Sequence, residues 1–202
     1  SGFIAGSRVE GSWDRAYLHS TAGMFVVLND QLVFPYMGTS GVAPDGKKGM
    51  YTGGSIGLAM LRRDGFASMD GDSAGGVLTT RLVTFKGRYF FVNVEVPQGE
   101  LRVEILDKDN NVIQPFSREN CIPVVADKTL QAVEWKGAED LSSVAGKEVK
   151  FRFHLANGKL YSFWVSPKKS GASNGYLGAG GPGFKGVVDL EGSRALGEGK
   201  PR

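Results

Sequence analysis

The sequence holds a single cysteine, Cys121, among 202 residues. One thiol closes no internal disulfide, so the fold must rest on a buried core. A chain of this length can build such a core unaided. Histidine is almost as scarce, with only His19 and His154. These three residues, far apart in the chain, give neither the ligand spacing of a zinc site nor the local signature of a thiol protease. No apolar run approaches the roughly 18 residues of a membrane-spanning helix, and no leader of the secretory type is visible. The chain opens at Ser1 without an initiator methionine, as a matured protein or a piece of a longer one does.

A surplus of charge is missing too. The net charge is +3, and the basic pairs Lys47-Lys48, Arg62-Arg63 and Lys168-Lys169 are scattered. A nucleic-acid reader gathers such charge on one face, so no nucleic-acid partner is expected. Helix is also in short supply. Only Asp140 to Lys147 reads as a helical turn, with Asp140 capping it and Gly146 stopping it.

What the chain has in plenty is glycine, at 30 residues, and short alternating stretches. "MFVVLNDQLVFPY" has two apolar arms, Met24–Leu28 and Leu32–Tyr36, around Asn29-Asp30, which reads as a hairpin. Pro35 cannot donate to a ladder, so the second arm is expected at an edge or at its end. "SIGLAML" reads as another strand, broken by Arg62-Arg63-Asp64-Gly65. Phe90, Val92, Val94 and Val96 alternate with Asn93 and Glu95. Leu101, Val103 and Ile105 alternate with Arg102 and Glu104. Val149, Phe151, Phe153 and Leu155 alternate with Lys150, Arg152 and His154. Period 2 predicts antiparallel strands with one face on a core and one on water. "DKDNN" and "ANGK" supply turns expected to close hairpins, and "LQAVEW" and "LYSFWV" complete at least six strands between Val77 and Val165. That spacing predicts an all-β fold, a jelly-roll-type β-sandwich. The residues from Pro167 onward are rich in Gly, Ser and Pro and read as a loop or extended arm. Tyr176, Leu177, Phe184 and Val187-Val188 are its candidate anchors.

Three motifs fail on their own chemistry. "GPGFKG" at Gly181–Gly186 fits a dinucleotide-binding string, but Pro182 sits inside it and no helical pattern follows. "DKDNNVIQPFSRE" starts as a calcium loop does. It then places Val112 where glycine is needed and Arg118 where a bidentate acid is needed. Asp70 and Asp72 offer two carboxylates for a structural calcium, with nothing else in the sequence to complete a site. No metal and no other cofactor is implied.

Aromatic residues carry the clearest ligand signal. Sugars stack their C–H faces on indole and phenol rings while polar side chains meet the hydroxyls. Trp13, Trp135, Trp164, Tyr89 and Tyr161 compete for that role against a plain core reading. Trp13 stands out, because "EGSWDRAY" is polar and Asp14 follows at once. A pair of carboxylates about 5 to 10 Å apart would mark glycoside hydrolysis, but sequence spacing does not reveal one among 21 acidic residues.

"IGLAMLRRDGF", "GGVLTTRLVTFKGRYFFVNV", "GELRVEILDKDNNVIQPFS", "KEVKFRFHLANGKLYSF" and "SNGYLGAGGPGF" carry a family resemblance. They look like the C-terminal region of bacterial glycosidase-like proteins. Those proteins are related to the five-bladed β-propeller glycoside hydrolases of the family 32 and family 43 type. The resemblance runs from about Ser12 to Phe184 and is most distinctive at the Arg-Arg-Asp-Gly stretch. It implies a propeller-blade-like antiparallel sheet over 1–68, a β-sandwich over 69–166 and a Gly-rich extended tail over 167–202. It also implies that the catalytic carboxylates belong to upstream blades, so none is carried onto this chain. Trp13, Asp14, Arg62, Arg63 and Asp64 match family positions. Trp13, Asp14, Arg63, Asp64 and Trp164 are the ligand-contact candidates. The implied function is the accessory end of a secreted or periplasmic protein acting on carbohydrate, next to the missing propeller portion. The other expectation is a non-catalytic carbohydrate-binding or protein-interaction module.

Overall fold

The computed structural model describes residues 4–20 and 25–196. It is nearly all strand, and every named strand pairing is antiparallel. Among the described residues no helix is long and apolar enough to cross a membrane.

The first sheet contains β1 (Tyr17–Ser20), β2 (Val26–Leu28), β3 (Gln31–Thr39) and β4 (Gly54–Arg62). The two residues Asn29 and Asp30 close the β2–β3 hairpin, with Leu28 opposite Gln31 and Asn29 at φ 54°. Asparagine tolerates that left-handed conformation, which is why the turn falls here. The outer arm was expected to start at Met24, which lies outside the described residues. β3 is the central strand of its sheet, not an edge, and it runs straight through Pro35. The β2 register stops at Val33 and the β1 register starts at Tyr36. Pro35 therefore falls at the changeover between two flanking strands, where a missing N–H costs least.

The remaining strands are β5 (Met69–Gly71), β6 (Gly76–Thr79), β7 (Tyr89–Glu95), β8 (Glu100–Leu106), β9 (Asp127–Val133), β10 (Lys150–Ala156) and β11 (Gly158–Ser166). They form two sheets, β6-β10-β8 and β5-β11-β7-β9. Each step from β5 to β11 in sequence passes from one sheet to the other. The turn at "ANGK" is therefore not a hairpin: β10 pairs with β6 and β8, and β11 pairs with β5 and β7. "DKDNN" does fold back on β8, with the Asp107 amide donating to Asn111 O and Val112 bridging Leu106. The 140–147 segment makes single turns, with Asp140 Oδ1 accepting the Ser142 amide and Gly146 at φ 79°.

Between these two sheets lies the main core. Phe90 of one sheet meets Phe151 of the other at a ring separation of 4.7 Å, and Phe153 meets Phe163 at 4.9 Å. Val92, Val94, Leu101, Val103, Ile105 and Val149 are fully buried around them. The inward residues match the alternation read from the sequence. Cys121 is part of this core, and burial pushes its thiol pKa up.

Candidate functional site

Arg62 ends β4, Arg63 opens the turn after it, and the two join the first sheet to the sandwich. Arg62 reaches the outer side of β7: its Nε donates to Asn93 Oδ1 at 2.7 Å and its NH2 donates to Val94 O at 2.8 Å. Its NH1 pairs with Asp127 at 2.5 Å, and the guanidinium lies 4.8 Å from the Tyr161 ring centroid. Asn93 in turn donates through Nδ2 to Arg63 O at 2.6 Å. Thr129 Oγ1 donates to Asp30 Oδ1, so the β2–β3 turn is bound to β9 as well. Tyr161 donates its hydroxyl to Glu95 at 2.7 Å. Desolvation first, and that hydrogen bond second, push its pKa up to about 12.

Arg63 turns the other way, into the tail. Its NH2 pairs with Asp189 at 3.0 Å, and both side chains are buried. The Asp189 carboxyl also accepts from the Ser173 hydroxyl and from the amides of Ser173, Glu191 and Gly192. Burial opposes its charge, but the Gly192 and Ser173 amides and the Arg63 guanidinium together hold its pKa below the ordinary carboxylate value. The tail is therefore a bound strap, although its described residues contain no strand. The Ala179 amide donates to Phe25 O and the Val27 amide to Gly180 O. Leu177 is buried with Val27 and Leu32, and Phe184 packs against that cluster. Tyr176, Val187 and Val188, expected as anchors, are exposed. A Cβ on Gly181 would lie 1.7 Å from Val27 O, so only glycine lets the strap run this close to β2.

One face of the first sheet is thus covered, by the strap at one end and by Trp13 at the other. The Trp13 ring lies against Gly38 and Gly57, where added Cβ atoms would come within 2.5 and 2.6 Å of it. The opposite face is closed at its Thr39 end, where the Thr39 hydroxyl donates to Met50 O, and is open along β4. Cross-strand partners Val33–Met60, Pro35–Leu58 and Met37–Ile56 share it with Val26 and Leu28 of β2. Ile56, Leu58 and Met60 are 67, 60 and 56% exposed, so none of the described residues covers them. Arg62 of β4 lies at its margin, and His19 of β1 stands opposite Met37.

The five residues singled out as ligand contacts do not form one pocket. Trp13 and Asp14 sit over Gly38 on the covered face of the first sheet. Arg63 and Asp64 lie at the junction, 3.7 Å apart. Trp164 is on the sandwich, stacked on Phe91 at 5.7 Å, with its Nε1 donating to Gly171 O of the strap. Asp70 and Asp72 each accept a local hydrogen bond, from Ser68 and from the Ala74 amide. Among the described residues no group of three or more His, Cys, Asp or Glu side chains is placed to hold a metal. His154 is half-buried against Glu104 at 3.1 Å rather than free on the surface.

Sequence reasoning missed Asn93, Asp127 and Asp189. The first was assigned to water by alternation and is 1% exposed. The last is one acid in a glycine-rich stretch, with no local pattern to mark it. Together the fold and this surface define a two-sheet β-sandwich that carries a third sheet with an exposed apolar row. No known family, curated protein or solved structure matches the chain.

Proposed function

We propose that this chain is a non-catalytic accessory module. Its jelly-roll-type sandwich buttresses a blade-like sheet, whose bare face packs on a further β layer of a glycoside-hydrolase-like protein. The catalytic carboxylates lie outside these residues. The observation that carries this reading is the open row of Ile56, Leu58 and Met60. An exposed apolar patch of this kind marks an interaction surface. Two strands of about 30 Å and the three-residue β2 give it an area of roughly 340 Å², well under the about 800 Å² per partner that a free-standing complex buries. So small a face suits a layer held close by a tether or by further contacts. The alternation of consecutive strands between the two sandwich sheets supports the jelly-roll assignment. The family resemblance supplies the expectation of neighbouring blades.

The test uses the purified chain and a variant with Ile56→Lys, Leu58→Lys and Met60→Lys together. The parent is expected to bind a hydrophobic dye and to self-associate with rising concentration in sedimentation. The triple variant is expected to do neither while keeping the same circular dichroism. A parent that stays monomeric and dye-silent, or that hydrolyses any glycoside by itself, overturns the proposal.

A further inference from the structure

We propose that the free edge of β4 pairs with β4 of a second copy of this chain, antiparallel and centred on Leu58. The inference concerns the main chain of β4, whereas the docking reading concerns its side-chain face. The Ser40 amide donates to Gly53 O and the Arg63 amide to Asp30 O, and these bonds extend the β3–β4 register at its two ends. Bonded and non-bonded pairs alternate along an antiparallel ladder. The odd-numbered residues of β4 therefore bond to β3, and Ile56, Leu58 and Met60 turn their N–H and C=O groups outward. Among the described residues none bonds to those outward groups, and β3 is the only strand that pairs with β4.

An open edge templates the pairing of a further strand, and proteins blunt such edges by shortness, charge, proline, a bulge or a cover. The other edges of this chain follow that rule. β5 and β6 have three and four residues, and Val112 and Val124 bridge the outer side of β8. β4 has none of these devices. It is nine residues long, pairs with β3 without a bulge, and carries neither charge nor proline from Gly54 to Leu61. A second copy fits this edge because the edge is self-complementary. About a two-fold axis at Leu58, Ile56 stands opposite Met60 of the other copy, and Leu58 opposite Leu58. These pairs exchange main-chain bonds and set apolar side chains beside each other on the face that is already exposed. No like charges are brought together. An edge about 30 Å long and ~10 Å deep buries only roughly 300 Å² per partner, below the about 800 Å² of a standard interface. The dimer is therefore weak, and main-chain hydrogen bonds supply its affinity.

The test is sedimentation of the full chain up to about 500 µM, where a dimer with a dissociation constant of roughly 10–100 µM is expected. Leu58→Pro removes an outward N–H, at the kind of position where an edge strand accepts proline. It is expected to weaken association by about tenfold or more, while keeping the circular dichroism and the dye binding of the parent. Oxidative cross-linking reads the register and does not depend on the proline variant folding. Residues opposed in such a pair lie about 5.5 Å apart, within disulfide reach. The two Ser55 positions would lie about 20 Å apart. Leu58→Cys is therefore expected to form a covalent dimer, and Ser55→Cys is not. Cys121 is 1% exposed and does not compete. Three outcomes overturn the proposal. The first is a parent that binds the dye yet stays monomeric up to about 500 µM. The second is undiminished association of a folded Leu58→Pro. The third is equal cross-linking of the two cysteine variants. Each leaves the docking reading standing, because the dye reports on the face and not on the edge.

Discussion

Phe90 and Ile56 are both apolar strand residues in antiparallel sheets, yet one is 2% exposed and the other 67%. The difference lies in what each sheet has to pack on. In the sandwich, two sheets of the same chain bury each other's inner faces, and the core closes without help. The first sheet has no second sheet of its own. A strap and one indole cover one face, and on the other the described residues leave Ile56, Leu58 and Met60 exposed. A sheet packs its apolar face on whatever layer is within reach. The contrast therefore separates a unit that closes its own core from a sheet that leaves an apolar row exposed.

The largest effect should come from breaking the closed unit. Phe90→Ala removes a ring that meets Trp135, Phe151, Phe153 and Phe163. It should cost about 3 to 5 kcal/mol in urea denaturation. Asp189→Asn should come next. It leaves the buried Arg63 guanidinium with only the exposed Asp64 carboxylate, 3.7 Å away, as counter-charge, at roughly 3 kcal/mol. Here the damage should be local, with trypsin cutting at Lys185 while the sandwich stays intact. The folded pKa of Asp189 is depressed, so its contribution exists above the unfolded value of about 3.9 and vanishes as pH falls through the lower folded value. The stability gap between Asp189→Asn and the parent should thus be flat near neutrality and close in acid. A gap that instead closes on going from neutral to alkaline pH would contradict the latch.

Gly57→Val tests the other cover. It drives a side chain into Trp13 and Tyr36 and should cost about 1 to 3 kcal/mol, with a red shift of indole fluorescence as Trp13 is displaced. An unshifted spectrum would mean that Trp13 does not depend on the glycine notch. The smallest effect belongs to the bare face. Leu58→Lys should change the stability of the isolated chain by no more than about 0.5 kcal/mol. A much larger loss would show that the face is already buried and would remove the contrast between the two regions.

Much of the architecture was readable in the residues themselves. Period 2 at Val149–Leu155 and at Leu101–Ile105 named the inward side chains, because a strand can present only two faces. Asn29-Asp30 and Arg62–Gly65 were readable as turns, because their backbone demands are local. The site was far less legible. Asn93 follows the polar phase of its strand, but the junction lies over that side of β7, so a residue assigned to water is buried and bridges Arg62 to Arg63. Pro35 argued for an edge by its missing donor, and the change of flanking strand removed the objection. Composition made the tail a loose arm, and Asp189 bound it down through a partner 126 residues away.

The sequence alone determined that this protein is built of strands, where most of them turn and which side of each sandwich strand is apolar. All of these follow from neighbours within a few residues. Only the tertiary structure decided that "ANGK" joins two different sheets, that Arg62 and Arg63 face opposite ways, and that Ile56, Leu58 and Met60 of the first sheet stay exposed. Those outcomes depend on which distant segments meet, and a face is buried or bare only with respect to a layer that local sequence does not name.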